Sequence, residues 1–162
     1  MSTYPSVTKY MATRLITFTP DTDIREAMDI LIKKKISGAP VLDEHKQLVG
    51  MLSEVDCLKT ILEGLYHKKP SQKGTVEDFM SKSVKTINAS KNILDAASEF
   101  VHAGYKRLPV IEDGKLVGQI SRSDILRAIQ AIRPTIKHVP DSWKNRPPTM
   151  ADHKKSRHSA NS

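Results

Sequence analysis

Gly50-Met-Leu-Ser-Glu-Val-Asp-Cys-Leu58 returns later in the chain as Gly118-Gln-Ile-Ser-Arg-Ser-Asp-Ile-Leu126. In each stretch a glycine leads an apolar strand end, a serine stands three residues on and an aspartate three beyond that. Such a duplication decides the fold, because a small repeat that cannot bury its apolar face alone must pack on its neighbour. The match continues outward. At a shift of 69, Met11 meets Met80, Thr17 meets Thr86, Ile24 meets Ile93, Ala27 meets Ala96 and Pro40-Val41 meets Pro109-Val110. The turn Asp43-Glu-His-Lys-Gln47 then exceeds Glu112-Asp-Gly-Lys115 by one residue, and from Leu48/Leu116 to Ile61/Ile129 the shift is 68. A polar turn is where a chain tolerates such a change in length. The organisation is therefore a repeat at 7–62, a linker at 63–75, a second repeat at 76–132 and a tail at 133–162.

Each copy reads as β-α-β-β-α, an α/β chain in the α+β sense. Ile24, Ala27, Met28, Leu31 and Ile32 form a helical apolar stripe, repeated by Ile93, Ala96, Ala97, Phe100 and Val101. Thr22 or Asp23 is expected to cap the first of these helices and Ser90 the second. A short leading strand is expected before each, at 15–17 and 84–86. A hairpin follows, 39–42 with 48–52 and 108–111 with 116–120, the second turning at Glu112-Asp-Gly-Lys115. Pro40 and Pro109 stand near the strand starts, where a missing N–H does least harm. Gly50 and Gly118 lie inside strands, which marks a bulge or a close backbone approach. Closing helices are expected at 54–65 and 122–132.

With 162 residues the chain makes one ordinary domain or two small ones. One repeat alone buries too little surface for a self-sufficient core. No apolar run approaches the roughly 18 residues of a membrane span. The opening Met1-Ser-Thr-Tyr-Pro-Ser6 lacks the charged and apolar regions of a signal peptide. The single cysteine, Cys57, excludes an internal disulfide framework and fits a reducing cytoplasm. Of the net charge of +8, the tail supplies +5 from seven Lys/Arg and two Asp. Its four prolines, its lone Trp143 and the run His153-Lys-Lys-Ser-Arg-His158 are linker-like rather than core-forming. Such a tail is most often solvated; the alternative is nucleic-acid binding, with affinity falling steeply in salt. His153 and His158 are too few for a closed zinc site. No Walker loop and no Ser/His/Asp or Cys/His constellation is present, so nucleotide hydrolysis ranks last and no catalytic residue is assigned.

Ser-x-x-Asp at a strand-to-helix junction has two readings that can coexist. Ser53 and Ser121 can cap the closing helices, with Asp56 and Asp124 reaching back as in a capping box. The same geometry suits a nucleotide. A helix N-terminus attracts phosphate, serine hydroxyls add hydrogen bonds, and an aspartate at the lip accepts two from the cis-diol of a ribose.

These residues resemble the CBS domain, the repeat named after cystathionine β-synthase: a leading strand with Thr, a helix, then h-P-V (h apolar), then G-h-x-S/T-x-x-D and a closing helix. Both copies carry each part, as Thr17, Ala39-Pro-Val41 and Gly50…Ser53…Asp56, and as Thr86, Leu108-Pro-Val110 and Gly118…Ser121…Asp124. The resemblance covers roughly 7–132. It implies a tandem pair, or Bateman module, with two clefts related by a pseudo-twofold axis. It also implies adenosine ligands (AMP, ADP, ATP or S-adenosylmethionine) with no cofactor required, a homodimer, and a regulatory role toward an unidentified partner protein. Tyr105-Lys-Arg-Leu-Pro-Val110 and Ser121-Arg-Ser-Asp-Ile-Leu126 are similar to the nucleotide-binding repeats of the AMP-activated protein kinase gamma subunit. That likeness gives Asp124 the ribose, Ser121 and Ser123 the phosphate side, Lys106 and Arg107 the phosphates, and Ile120 and Thr86 the base or ribose slot. The first copy keeps Thr17, Ser53 and Asp56 with Ala39 and Leu52 around them. Ser37-Gly38 replace Lys106-Arg107 there and Val55 replaces Ser123. The second copy is thus expected to hold the better site, and the first to prefer less phosphate charge or none, unless basic residues from the other copy or a dimer mate reach it.

Overall fold

The structure, a computed structural model, describes residues 4–67 and 74–132. The expectations for Trp143, His153, His158 and the basic tail lie outside the described residues, as does most of the linker. The chain begins with a 3-10 turn (Val7–Lys9) and continues through α1 (Ile24–Lys34), β1 (Gly38–Leu42), β2 (Leu48–Ser53) and α2 (Glu54–His67). The second copy holds a one-turn helix α3 (Val76–Phe79), then β3 (Ile87–Asn88), α4 (Ile93–Ala103), β4 (Arg107–Glu112), β5 (Lys115–Ser121) and α5 (Arg122–Ile132). β1–β2 and β4–β5 are antiparallel hairpins, and β3 runs parallel to β4. Both hairpins slip register at the same place, between Val41 and Leu42 and between Val110 and Ile111. Among the described residues no helix is long and apolar enough to cross a membrane.

The caps follow the repeat. The Asp23 carboxylate accepts from the N–H groups of Arg25 and Glu26 at 2.9 and 3.2 Å. In the second copy the cap is Asn92, not Ser90: its side-chain oxygen accepts from Leu94 and Asp95, and the Asp95 carboxylate accepts from the Asn92 N–H. Asn92 stands 69 residues after Asp23, whereas Ser90 aligns with Asp21. Both leading helices stop at a left-handed residue, Lys35 (φ 54°) and Gly104 (φ 69°).

Ile24, Ala27 and Leu31 and their counterparts Ile93, Ala96 and Phe100 are buried as the stripe requires. Ile32 and Val101 are not: they are 73% and 80% exposed. The expected leading strands are also displaced. Phe18 bridges to Val41, and its counterpart Ile87 begins β3. Phe18 and Ile87 are the residues that enter the core, at 3% and 5% exposure, while none of residues 15–17 and 84–86 is buried, Ile16 packing partly buried against the first core.

The two repeats exchange their leading segments. Val76 and Phe79 lie in the first copy's core with Phe18, Ile24, Leu31, Val41 and Leu52. Backbone bonds hold this segment, with Glu77 N–H to Pro20 O beside a set that recurs in the other copy: Ile24 N–H to Gly74 O, Val76 N–H to Thr22 O, and a reciprocal pair between Met51 and Ser81. The first copy's own leader does the same for the second, through Ile93 N–H to Pro5 O, Val7 N–H to Lys91 O and a reciprocal pair between Ala12 and Gln119. Each residue in one set corresponds to one in the other at a shift of 69 or 68. Val7 and Val76, fully buried, are the anchors; a buried valine contributes about 1.5–3 kcal/mol.

This exchange explains Gly50 and Gly118. A β-carbon on Gly118 would meet the Ala12 carbonyl oxygen at 2.8 Å and the Met11 sulfur closer still. On Gly50 it would meet the Met80 sulfur at 2.5 Å and the Ser81 carbonyl oxygen at 3.0 Å. Both expectations for these glycines, a bulge and a close approach, apply. Gly118→Ala should lower the unfolding free energy by about 1–3 kcal/mol, read from urea denaturation. Met11→Ala in the same chain should recover only part of it, because the Ala12 carbonyl is backbone. A Gly118→Ala protein as stable as wild type would remove this account of the glycine.

Candidate ligand clefts

The strand–helix junctions carry the Ser-x-x-Asp motifs as capping boxes. Asp56 Oδ2 accepts from the Ser53 N–H and the Ser53 hydroxyl, both at 2.9 Å, while the Asp56 N–H donates to Ser53 Oγ at 3.2 Å. Asp124 Oδ2 accepts from the Ser121 N–H at 2.8 Å, and the Asp124 N–H donates to Ser121 Oγ at 3.3 Å. The second copy differs in one bond: Ser121 Oγ lies 3.0 Å from Ser123 Oγ instead of donating to the aspartate. Both carboxylates are buried, Asp56 at 3% and Asp124 at 7%. Their outer oxygens meet the cation three residues on, Lys59 at 3.5 Å in the first copy and Arg127 in the second.

Beside Ser53 opens a cavity of about 310 Å³, a volume suited to a small ligand. Ser37, Gly38, Met51, Glu54 and Val55 line it from the first copy; Ser83, Val84, Lys85, Tyr105, Lys106, Arg107 and Pro109 line it from the second. Lys106 and Arg107, read from sequence as belonging to the second cleft, thus line the first. Arg107 Nη1 donates to the Gly38 carbonyl at 2.8 Å. Burial lowers the Arg107 pKa from its ordinary value and Glu54 nearby pushes it back up; a guanidinium stays charged regardless. Lys85 pairs with Glu99 at 3.3 Å. The loop carrying Lys106 and Arg107 is fastened by Arg122, whose side chain donates to the carbonyls of Tyr105 and Gly104.

Other residues expected at the sites lie elsewhere. Leu52, Ala39 and Ile120 are buried in the cores, because a strand turns alternate side chains to opposite faces. Met51, one residue before Leu52, is on the cavity side; alternation along β2 could have found it. Thr86 lines a separate hollow with Lys82, Leu48 and Ile111, away from Asp124. Thr17 is exposed and lines neither hollow. Ser83, Val84 and Lys85 were missed because they belong to the exchanged copy, a relation no local pattern announces. Cys57 is buried, and its thiol pKa is raised by burial, then by Asp56 and Glu54.

The CBS domain family matches residues 7–63 and again 76–131. The chain belongs to the CBS domain family. Its fold is the mixed helix-and-strand arrangement of CBS pairs. The crystal structure of CBSX2 in complex with AMP aligns with a TM-score of 0.69 at 34% identity, covering 79% of this chain and 98% of that one. The CBS domain pair of protein MJ0100, in complex with 5′-methylthioadenosine and S-adenosyl-L-methionine, gives a TM-score of 0.66 at 27% identity, covering 79% and 98%. In sequence, the chloroplastic CBS domain-containing protein CBSX2 of Arabidopsis thaliana is 31% identical over 140 residues, spanning 70% of this chain and 58% of that protein. Protein MJ1225 of Methanocaldococcus jannaschii is 28% identical over 123 residues, 76% of this chain and 42% of that protein. The chain thus spans about half the length of these two relatives.

The capping role of the CBS aspartates can be measured directly. Asp56→Ala leaves the Ser53 N–H and hydroxyl without their acceptor and should destabilise the fold by about 1–3 kcal/mol in urea unfolding. Ser123→Ala, at an exposed position, should shift it by under roughly 0.5 kcal/mol.

Proposed function

We propose that this chain is a regulatory module that binds adenine nucleotides in its CBS clefts and acts on a partner protein. The observation that carries this reading is the cavity beside Ser53. A buried carboxylate sits at its helix junction, and Lys106 and Arg107 line the cavity with the acid Glu54, while Lys85 in the same lining is paired with Glu99. That charge suits AMP, ADP or ATP better than an uncharged nucleoside. AMP in CBSX2 and adenosyl ligands in MJ0100 support the ligand class. In this reading Asp56 and Asp124 hold a ribose diol, and Ser53, Ser121 and Ser123 face the phosphate side. Met51 lines the apolar wall. No cofactor is required and no catalytic residue is assigned. In this reading the module works in the cytoplasm, where a single cysteine without a disulfide partner suits a reducing compartment.

Calorimetry with AMP, ADP, ATP and S-adenosylmethionine tests this. The wild type should bind at least one of them below millimolar concentration. Asp56→Ala and Asp124→Ala, each checked for folding by circular dichroism, should each abolish one binding event. Silence toward all four ligands at millimolar concentration removes the reading.

The module also pairs with a second copy in this proposal. Ile32, Leu58, Ile61 and Leu62 are each more than half exposed on the outer side of α1 and α2. A hollow of about 330 Å³ runs between Met28, Ile32, Leu58 and Ile61. Contiguous apolar surface of this kind marks an interaction site. Sedimentation should give twice the chain mass for wild type and the monomer mass for Ile61→Glu; a monomeric wild type removes the self-association.

A further inference from the structure

Arg107 lines the cavity beside the first motif and stands opposite the serine of the second. In the β4–β5 ladder its Cα pairs with Ser121, the serine of the second motif. Its guanidinium reaches the other way, onto the carbonyl of Gly38, and Gly38 pairs with Ser53, the serine of the first motif. Gly38 and Arg107 are themselves counterparts at the shift of 69. One position of the duplicated pair therefore carries a cation and the other carries nothing. The empty side is required. A β-carbon on Gly38 would stand 2.8 Å from the Leu52 carbonyl oxygen and 3.6 Å from Arg107 Nη1. The neighbouring position is asymmetric too, Lys106 against Ser37.

A carbonyl oxygen is a modest partner for a half-buried guanidinium. A phosphate is a stronger one, through charge-assisted and often bidentate hydrogen bonds. The Gly38 contact is thus one that an anionic ligand can displace at little loss. Resting on the nucleotide reading above, we propose that Arg107 is a single phosphate-binding cation shared by the two clefts, so that the chain holds one phosphorylated ligand tightly and a second only weakly. A ligand without phosphate does not compete for the arginine and escapes the coupling. Coupling between sites in proteins commonly amounts to about 5–150-fold in affinity. A shared partner that must be given up by one cleft to serve the other falls in that range.

The test compares AMP with adenosine by calorimetry on the full chain, in wild type, Arg107→Ala and Arg107→Lys. In wild type the second AMP should bind at least about tenfold more weakly than the first, relative to the ratio of the two adenosine events. Arg107→Ala should weaken the first AMP by roughly tenfold or more, leave adenosine unchanged and bring the AMP ratio back to the adenosine ratio. Arg107→Lys keeps the charge without the fork and should fall between. It also serves as the folded control if the alanine variant is unstable. Two AMP molecules bound with the adenosine ratio in wild type overturn the inference. So does an AMP ratio that persists in Arg107→Ala, which would trace the coupling to repulsion between the two phosphates. Either result leaves the nucleotide reading standing. Failure of both AMP and adenosine to bind at millimolar concentration removes that reading and this one together.

Discussion

The structure depends on a close approach between a leading segment of one repeat and a glycine of the other. Met11 crosses Gly118 and Met80 crosses Gly50, in each case nearer than a β-carbon allows. Neither repeat is complete without its neighbour's leader. Val76 and Phe79 finish the first core, and Val7 is the fully buried anchor on the other side. A repeat of about 55 residues buries too little surface to stand alone, and reciprocal exchange overcomes this without lengthening either copy. It also draws residues 83–85 of the second copy across to the first copy's Ser53. The device that completes the core is thus the device that builds the cavity.

An exact twofold would make the clefts identical, and at the junction between the repeats it would set two arginines facing each other. The chain avoids that with Gly38 opposite Arg107. The arginine gains a carbonyl partner, and the glycine supplies the room, since a side chain there would strike Leu52. The surrounding substitutions follow the same division. Glu54, which helps hold Arg107 in its charged form, corresponds to Arg122, which ties down the loop bearing it. The copies have diverged where they face each other more than where they face their own cores.

Much of the fold was legible in the sequence because it rests on local periodicity. The hairpins and α5 follow from strand runs, turn residues and the apolar stripe, and the closing helices start at the Ser-x-x-Asp junctions as read. The errors have physical causes. Ser90 satisfies the composition of a cap, but Asn92 has the register. Ile32 and Val101 continue the stripe in sequence, yet at the end of the helix they have rotated off the core. Ile120 was given the slot by likeness to nucleotide-binding repeats and Leu52 as its counterpart beside the first serine, while strand alternation sends both inward. The family likeness assigned Lys106 and Arg107 to the second cleft, but which cavity they line is a tertiary fact. It depends on the exchange of leaders, and the paired Val7/Val76 and Met11/Met80 were the only trace of that exchange in the sequence.

The aspartates cap their helices, and in the proposed function the same motif also serves recognition. One oxygen of each carboxylate is committed to the capping box, so it remains in place whether or not a ligand is bound. The other oxygen is held by Lys59 or Arg127, side chains that are 58% and 65% exposed. Ion pairs with an exposed partner contribute little, about 0–1 kcal/mol, yet a buried carboxylate left without any partner is costly. In the proposed function such an exposed cation is a suitable placeholder, one that satisfies the acid and gives it up to the hydroxyls of a ribose. In the proposed function the capping bond fixes where the carboxylate points and the exposed cation keeps it available. A ligand that engages it adds its binding free energy to the fold by mass action, through the same helix N-termini that the cap already organises.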